Sequence, residues 1–189
     1  PMSVSEKRLL AESEKNESRD EIRRKFGVFN KKVILFVGRL ETVKNISILI
    51  KAFGELKKID SELALFIVGD GTEKENLMKL VKEHKIEDVY FEGYITFPEN
   101  VKYYQMADVF VLPSTYEPWG MVINEAIIMG LPVVVSSHVG CRADLVREGE
   151  NGFVFEDNNV IALAESLKKA LYLYGVCKIT DEWNHHKYL

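Results

Sequence analysis

The sequence predicts an α/β domain built on a doubly wound parallel sheet of about six strands. Short apolar runs without polar alternation recur along the chain, as expected of parallel strands that are buried on both faces. Segments of helical periodicity, about 10–15 residues long, separate these runs, and this alternation is typical of a sheet with helices on both faces. The predicted strands are residues 33–37, 63–68, 89–91, 109–112, 132–135 and 152–155.

Residues 1–32 differ from the rest of the chain, because thirteen of residues 3–25 are charged. We expect a charged, solvated linker followed by one short helix, and no chemistry in this segment. Ser18 and Glu21 have the spacing of a capping box at the start of that helix, and Gly27 can end it.

The main folded domain is expected over residues 33–175, with the helices placed between the strands. Residues 176–189 are expected to form a frayed C-terminal tail. Its adjacent His185 and His186 lack the i, i+4 spacing of a metal-binding pair on a helix, so we predict no metal there. The predicted helices lie near residues 45–58, 72–84, 98–106, 120–129, 140–147 and 159–174.

The composition is that of a water-soluble globular protein, since 47% of the 189 residues are hydrophobic and 29% are charged. A formal net charge of -4 provides no global positive field, so we do not expect nucleic acid as a partner. Cys141 and Cys177 are the only cysteines and make no disulfide framework, so we expect a reducing, cytoplasmic location. A chain that opens on Pro1 is expected to be a piece of a longer protein.

Residues 118–137 are apolar enough to raise the question of a transmembrane helix, because they contain a single charge. The segment around Gly130 and Pro132 divides this stretch into a helix and a strand, and Glu125 would sit in lipid. We therefore predict a helix and a strand of the soluble fold.

Ligands of an open parallel sheet bind at the carboxyl ends of the strands, where the winding reverses. With the strand order 3-2-1-4-5-6, this point lies between the first and the fourth strand. Gly38, Arg39 and Lys44 follow the first strand, where arginine can grip a phosphate and lysine can add a point charge. The alternative is that both cations are only solvated. Asn45 is expected to cap the next helix.

The loop after the fourth strand leads into an apolar helix. Free backbone N–H groups of Gly120, Met121 and Val122 are predicted to form an anion site at its start. Glu125 needs partners on so apolar a helix, and these are either the hydroxyls of a diol or a structural cation. Glu117, just before the helix, is either a surface acid or a group that recognises hydroxyls.

The turn from Gly69 to Thr72 invites comparison with a dinucleotide-binding fingerprint. Lys74 stands where the third glycine should be, and the turn follows the second strand rather than the first, so we interpret it as a tight turn. Thr72 and Glu75 have the spacing of a helix cap. The chain also lacks the motifs of phosphate-binding loops, zinc proteases and serine hydrolases, and it has no Asp-x-Asp pair.

Taken together, these segments resemble the donor half of a GT-B glycosyltransferase of family 4, also called group 1. The Glu-x7-Glu spacing from Glu117 to Glu125 is the signature of that family, and the resemblance runs from Val33 to Ala170. The segments that carry it are Gly38-Arg39-Leu40 with Lys44-Asn45, Val68-Gly69-Asp70-Gly71, Glu117-Pro118-Trp119-Gly120, Glu125-Ala126 and Gly130-Leu131-Pro132-Val133.

The resemblance implies a Rossmann-like domain that binds a UDP-, GDP- or ADP-sugar and takes part in retaining glycosyl transfer without a metal. By this resemblance Arg39 and Lys44 would hold the diphosphate and assist its departure. Glu125 would bind the ribose hydroxyls, and Glu117 would contact the transferred sugar.

The resemblance also implies that the backbone of Gly93, Tyr94 and Ile95 meets the base. One departure is Gly140-Cys141, where members of the family often carry two glycines.

GT-B enzymes place a second domain before this one to bind the acceptor, so the resemblance implies a missing N-terminal domain, and any membrane contact is expected there. Two alternatives stay open: half of a sugar-nucleotide 2-epimerase, and a non-catalytic module that binds nucleotide sugars.

Overall fold

The computed structural model describes residues 6–156 and 158–180, and within them six parallel strands form one sheet in the order β3-β2-β1-β4-β5-β6. The predicted fold class and strand order are confirmed. The strands are β1 (Lys32–Val37), β2 (Leu63–Val68), β3 (Val89–Gly93), β4 (Val109–Leu112), β5 (Val133–Ser136) and β6 (Gly152–Phe155). The helices are α1 (Glu6–Lys15), α2 (Arg19–Lys25), α3 (Ile46–Lys57), α4 (Lys74–Glu83), α5 (Val101–Met106), α6 (Met121–Ile128), α7 (Arg142–Leu145) and α8 (Val160–Thr180), with a 3₁₀ turn at Thr42–Lys44.

The central strands are buried on both faces, which explains their lack of polar alternation. Every residue of β2, β4 and β5 is buried, and so is all of β1 after Lys32. β1 lies between β2 and β4, with Ile34 beside Leu65 on one side and beside Val109 on the other. The winding reverses between β1 and β4, so the loops that leave these two strands flank the crevice at the carboxyl edge.

The expected linker at the N-terminus is wrong, because Glu6–Lys15 form helix α1. Leu9 is fully buried and packs with Val101 of α5 and Ile128 of α6. One buried side chain gives too weak a periodicity to be recognised in so charged a segment. The capping box that starts α2 at Ser18 is confirmed.

Three further local predictions need correction. The Thr72 hydroxyl donates to the Glu41 carboxylate at 2.9 Å and does not cap α4, whose cap position is Glu73. Asn45 precedes α3 in a left-handed conformation (φ 51°) and makes no side-chain cap hydrogen bond. Helix α8 continues to Thr180, so residues 176–180 belong to a helix rather than a tail. The predictions for His185 and His186 lie outside the described residues.

Helix α2 is attached at the edge of the sheet opposite the crevice. The Asp108 carboxylate, just before β4, accepts a hydrogen bond from the Val33 N–H at 2.7 Å at the start of β1. The same carboxylate pairs with Arg19, at 2.6 Å, and with Arg23 of α2.

Among the described helices, none is both long and apolar enough to cross a membrane.

Candidate functional site

The loops after β1 and β2 are in direct backbone contact. A Cβ at Gly69 would overlap the carbonyl oxygen of Gly38, and one at Gly71 would overlap the backbone of Leu40. The Leu40 N–H donates to the Asp70 carbonyl at 2.9 Å, which holds the two loops together. The glycines after β2 are therefore required for this close approach. They position the loop that carries Arg39.

The two predicted phosphate-binding cations have different surroundings. The Lys44 ammonium forms an ion pair with the Glu117 carboxylate, and their side chains are only 17% and 16% exposed. This contact joins the loops after β1 and β4, so the structure brings two predicted site residues together. The Arg39 side chain is exposed, and within the described part of the chain no hydrogen bond or ion pair engages it. Arg39 is therefore available to an anion at the crevice.

The loop around Glu117 is fixed by the segment after β5. The Glu117 N–H donates to the His138 carbonyl at 3.3 Å, and the Gly140 N–H donates to the Glu117 carbonyl at 2.8 Å. A Cβ at Gly140 would overlap the Pro118 carbonyl, so this position requires glycine. Cys141 is buried, and burial raises the pKa of its thiol to about 11. Where members of the family often carry a second glycine, this chain therefore has a protonated, inert thiol packed against the core.

The start of α6 is where the sequence predicts an anion site. Gly120 adopts a left-handed conformation (φ 92°) and turns the chain into the helix, which begins at Met121. Hydrogen bonds within a helix leave its first N–H groups without partners. Among the described residues, no acceptor engages the N–H groups of Met121 and Val122. These donors and the positive end of the helix dipole favour an anion.

Glu125 has a neutral partner rather than a cation. The Tyr104 hydroxyl, on α5, donates to Oε2 of Glu125 at 2.7 Å. Within the described part of the chain no lysine or arginine pairs with Glu125, so the alternative of a structural cation finds no support there. Burial raises the pKa of Glu125, and the hydrogen bond from Tyr104 opposes this effect. Tyr104 was not predicted, because an aromatic pair on a short helix signals only a core position.

The segment after β3 lies along the same edge of the sheet. Gly93 has a left-handed backbone (φ 76°), and its carbonyl accepts a hydrogen bond from the Gly69 N–H at 2.7 Å. Tyr94 is 76% exposed, and Ile95 is half-buried. Within the described part of the chain, no hydrogen bond or ion pair joins these residues to Lys44 or Glu125, so their assignment to the base stays a prediction.

Comparison with known proteins identifies a family that the chain matches. Residues 18–182 match the family model of the glycosyl transferases, group 1. An uncharacterized glycosyltransferase of Methanocaldococcus jannaschii is 34% identical over 175 residues, which cover 92% of this chain and 42% of that protein. The chain spans only part of the length of such curated relatives. It covers 42% of the M. jannaschii protein and 50% of an uncharacterized glycosyltransferase of Haemophilus influenzae.

Two solved structures share the fold. Anabaena HepE, in a crystal structure with UDP-glucose, is 25% identical with a TM-score of 0.70, and the match covers 89% of this chain and 49% of that one. The C-terminal domain of a Francisella tularensis group 1 glycosyl transferase family protein, LpcC, has a TM-score of 0.72 at 21% identity. That match covers 87% of this chain and 93% of the other.

Proposed function

This chain belongs to the group 1 glycosyltransferases, and from that membership we propose that it is the donor-binding half of a retaining GT-B enzyme. In this proposal it holds a nucleotide-diphosphate sugar, and the sugar passes to an acceptor hydroxyl. The observation that carries the proposal is the convergence of Lys44, Glu117 and the start of α6 between the carboxyl ends of β1 and β4. Glu125 lies one turn into the same helix.

The proposed site stabilises the leaving diphosphate. Negative charge collects on the diphosphate as the glycosidic bond breaks, and fixed donors that are aimed at it lower the barrier. Arg39, Lys44 and the free N–H groups at the start of α6 supply such donors. Arginine can bind a phosphate through two parallel hydrogen bonds, whereas the ammonium of Lys44 acts as a point charge. These groups assist departure and do not serve as a general base.

The Lys44–Glu117 ion pair explains how the two residues divide their roles. Without a ligand, the pair neutralises two charges that are largely shielded from solvent. A diphosphate offers the ammonium a second anionic partner. The Glu117 carboxylate then has acceptor capacity for the hydroxyls of the transferred sugar, which is the role that the family resemblance assigns to it.

A UDP-sugar is the proposed donor class to test first, because the HepE structure contains UDP-glucose. The experiment is a thermal-unfolding series of the chain with UDP-, GDP- and ADP-sugars. A ligand that binds only the folded state stabilises it by about 2.7 kcal/mol at a concentration one hundred times its Kd. A rise in Tm with one of the three supports the proposal, and no rise with any of them overturns it.

Glu125→Gln is expected to reduce the preference of the site for ribose over 2′-deoxyribose by about threefold to tenfold, because a charged acceptor is replaced by a neutral one. Titrations of UDP and 2′-deoxy-UDP measure the preference. Glu92→Gln is the matched control, since Glu92 accepts a hydrogen bond of 2.7 Å from Tyr103 on the same helix as Tyr104. An unchanged preference in Glu125→Gln would make Glu125 a structural residue.

UDP binding is expected to survive EDTA with less than about a twofold change in Kd, since Arg39, Lys44 and the start of α6 supply the positive partners. The measurement is a calorimetric titration of UDP with EDTA, and with added Mg²⁺ or Mn²⁺. Binding that requires the metal would show that the phosphate site is assigned to the wrong residues.

A further inference from the structure

Tyr104 joins the core of the domain to the site. It is fully buried on α5, and its ring stacks on Phe110 of β4 with 6.0 Å between the ring centroids. Its hydroxyl donates to Oε2 of Glu125 at 2.7 Å. The packed ring fixes the position of the hydroxyl, and the hydroxyl therefore restrains the carboxylate on α6.

This hydrogen bond engages only one of the two carboxylate oxygens. Within the described part of the chain, no partner is recorded for Oε1 of Glu125, and the side chain is half-buried rather than sealed in the core. A carboxylate can accept several hydrogen bonds, so a diol can bind while Tyr104 keeps its own contact. Phenylalanine would pack equally well at position 104. The hydroxyl of Tyr104 therefore serves its hydrogen bond to Glu125 rather than packing.

We propose that Tyr104 is a positioning residue that orients Glu125 for the ribose diol of the nucleotide. The inference rests on the proposed function and extends it to a residue outside the family signature. Tyr104 itself does not touch the ligand. It fixes the rotamer of Glu125, so that binding the diol costs less side-chain ordering.

The same contact partly offsets the effect of burial on the pKa of Glu125. Burial raises the pKa of Glu125, and the Tyr104 hydrogen bond lowers it. Burial also raises the pKa of Tyr104 well above its ordinary value, so the hydroxyl stays a donor at neutral pH. The neighbouring strands β4 and β5 carry no ionisable side chains, and α1 packs its Leu9 against Ile128 of α6. On α1 and α5, Arg8 lies over the Phe97 ring, Glu12 pairs with Lys15, and Lys102 lies over the Tyr103 ring, so none of these charges pairs with Glu125. Loss of the hydroxyl therefore raises the pKa of Glu125 further.

The experiment compares Tyr104→Phe with Tyr103→Phe in this chain. Tyr103 is a close control, because it is also buried on α5 and its hydroxyl donates to a carboxylate, Glu92, at 2.7 Å. UDP and 2′-deoxy-UDP are titrated from acidic to neutral pH. Tyr104→Phe is expected to lower the ribose preference by about threefold to tenfold and to move the acid loss of UDP binding to higher pH. Tyr103→Phe is expected to do neither.

A double-variant cycle separates positioning from general damage to the fold. In a Glu125→Gln background, Tyr104→Phe is expected to cause no further loss of ribose preference, because both changes act on one interaction. Equal behaviour of Tyr104→Phe and Tyr103→Phe in both readouts would overturn the inference while UDP binding by the unaltered chain persists. Failure of the unaltered chain to bind any of the UDP-, GDP- and ADP-sugars would instead overturn the proposed function.

Discussion

Replacing Lys44 by Ala is expected to weaken the binding of UDP by about tenfold to a hundredfold and to leave uridine binding nearly unchanged. A hydrogen bond to a charged group contributes about 1.5–3 kcal/mol, which corresponds to this range. The variant also leaves the Glu117 carboxylate without its cation, and this uncompensated charge repels the diphosphate. Isothermal titration of UDP and uridine at one ionic strength measures both affinities.

Two further variants test the cause of this loss. Arg39→Ala is expected to weaken UDP binding in the same direction without freeing a carboxylate, because Arg39 has no ion-pair partner among the described residues. Glu117→Gln, added to Lys44→Ala, should restore part of the affinity by removing the repulsion. Lys58→Ala is the control, since Lys58, directly after α3, forms an exposed ion pair with Glu55 of that helix. Equal losses for uridine and UDP would contradict the phosphate assignment.

The fold could be predicted because its strands are buried on both faces. Runs such as Val33–Val37 have no polar alternation, and the helices between them predict parallel strands. The predicted order of the strands is the one common in doubly wound sheets. Local signals were less reliable. Thr72 has the spacing of a cap but donates to Glu41, a residue on another loop, and α1 depends on one buried leucine. Tertiary contacts decide such cases, and a short segment does not contain them.

The candidate site could be predicted in its residues but not in its contacts. Lys44 and Glu117 were each identified from their place after a strand, yet their ion pair spans 73 residues of sequence. Tyr104 lies 21 residues from Glu125, in a short helix whose aromatic pair signals only a core position. The winding rule gives the edge at which residues gather. Which side chains pair with each other at that edge depends on tertiary packing, and tertiary packing leaves no periodic pattern in the sequence.

The isolated chain is expected to fold, to bind a nucleoside diphosphate, and to transfer no sugar above background. Folding is expected because the central strands are buried by the domain's own helices. Transfer requires more than the donor site. Positioning of acceptor and donor together can contribute roughly 7–11 kcal/mol to lowering a barrier, and in the proposed GT-B enzyme the acceptor is held by a preceding domain.

Closure of that domain would also exclude water from the crevice. Exclusion of water strengthens the electrostatic contribution of Arg39 and Lys44 to the departing diphosphate. In the isolated chain Arg39 is exposed, so solvent screens it. The donor site alone is therefore expected to keep its binding function and to lose most of its catalytic effect.

A radiolabelled-donor transfer assay on residues 1–189, beside a UDP titration of the same sample, tests this expectation. The matched comparison is the same chain joined to the acceptor domain that the proposal places before it, which should restore transfer by several orders of magnitude, since about 1.4 kcal/mol corresponds to tenfold in rate. Robust transfer by the isolated chain would contradict the two-domain proposal. A folded chain that binds no nucleotide would contradict the assignment of the donor site. Its charged groups at the crevice would then need another explanation.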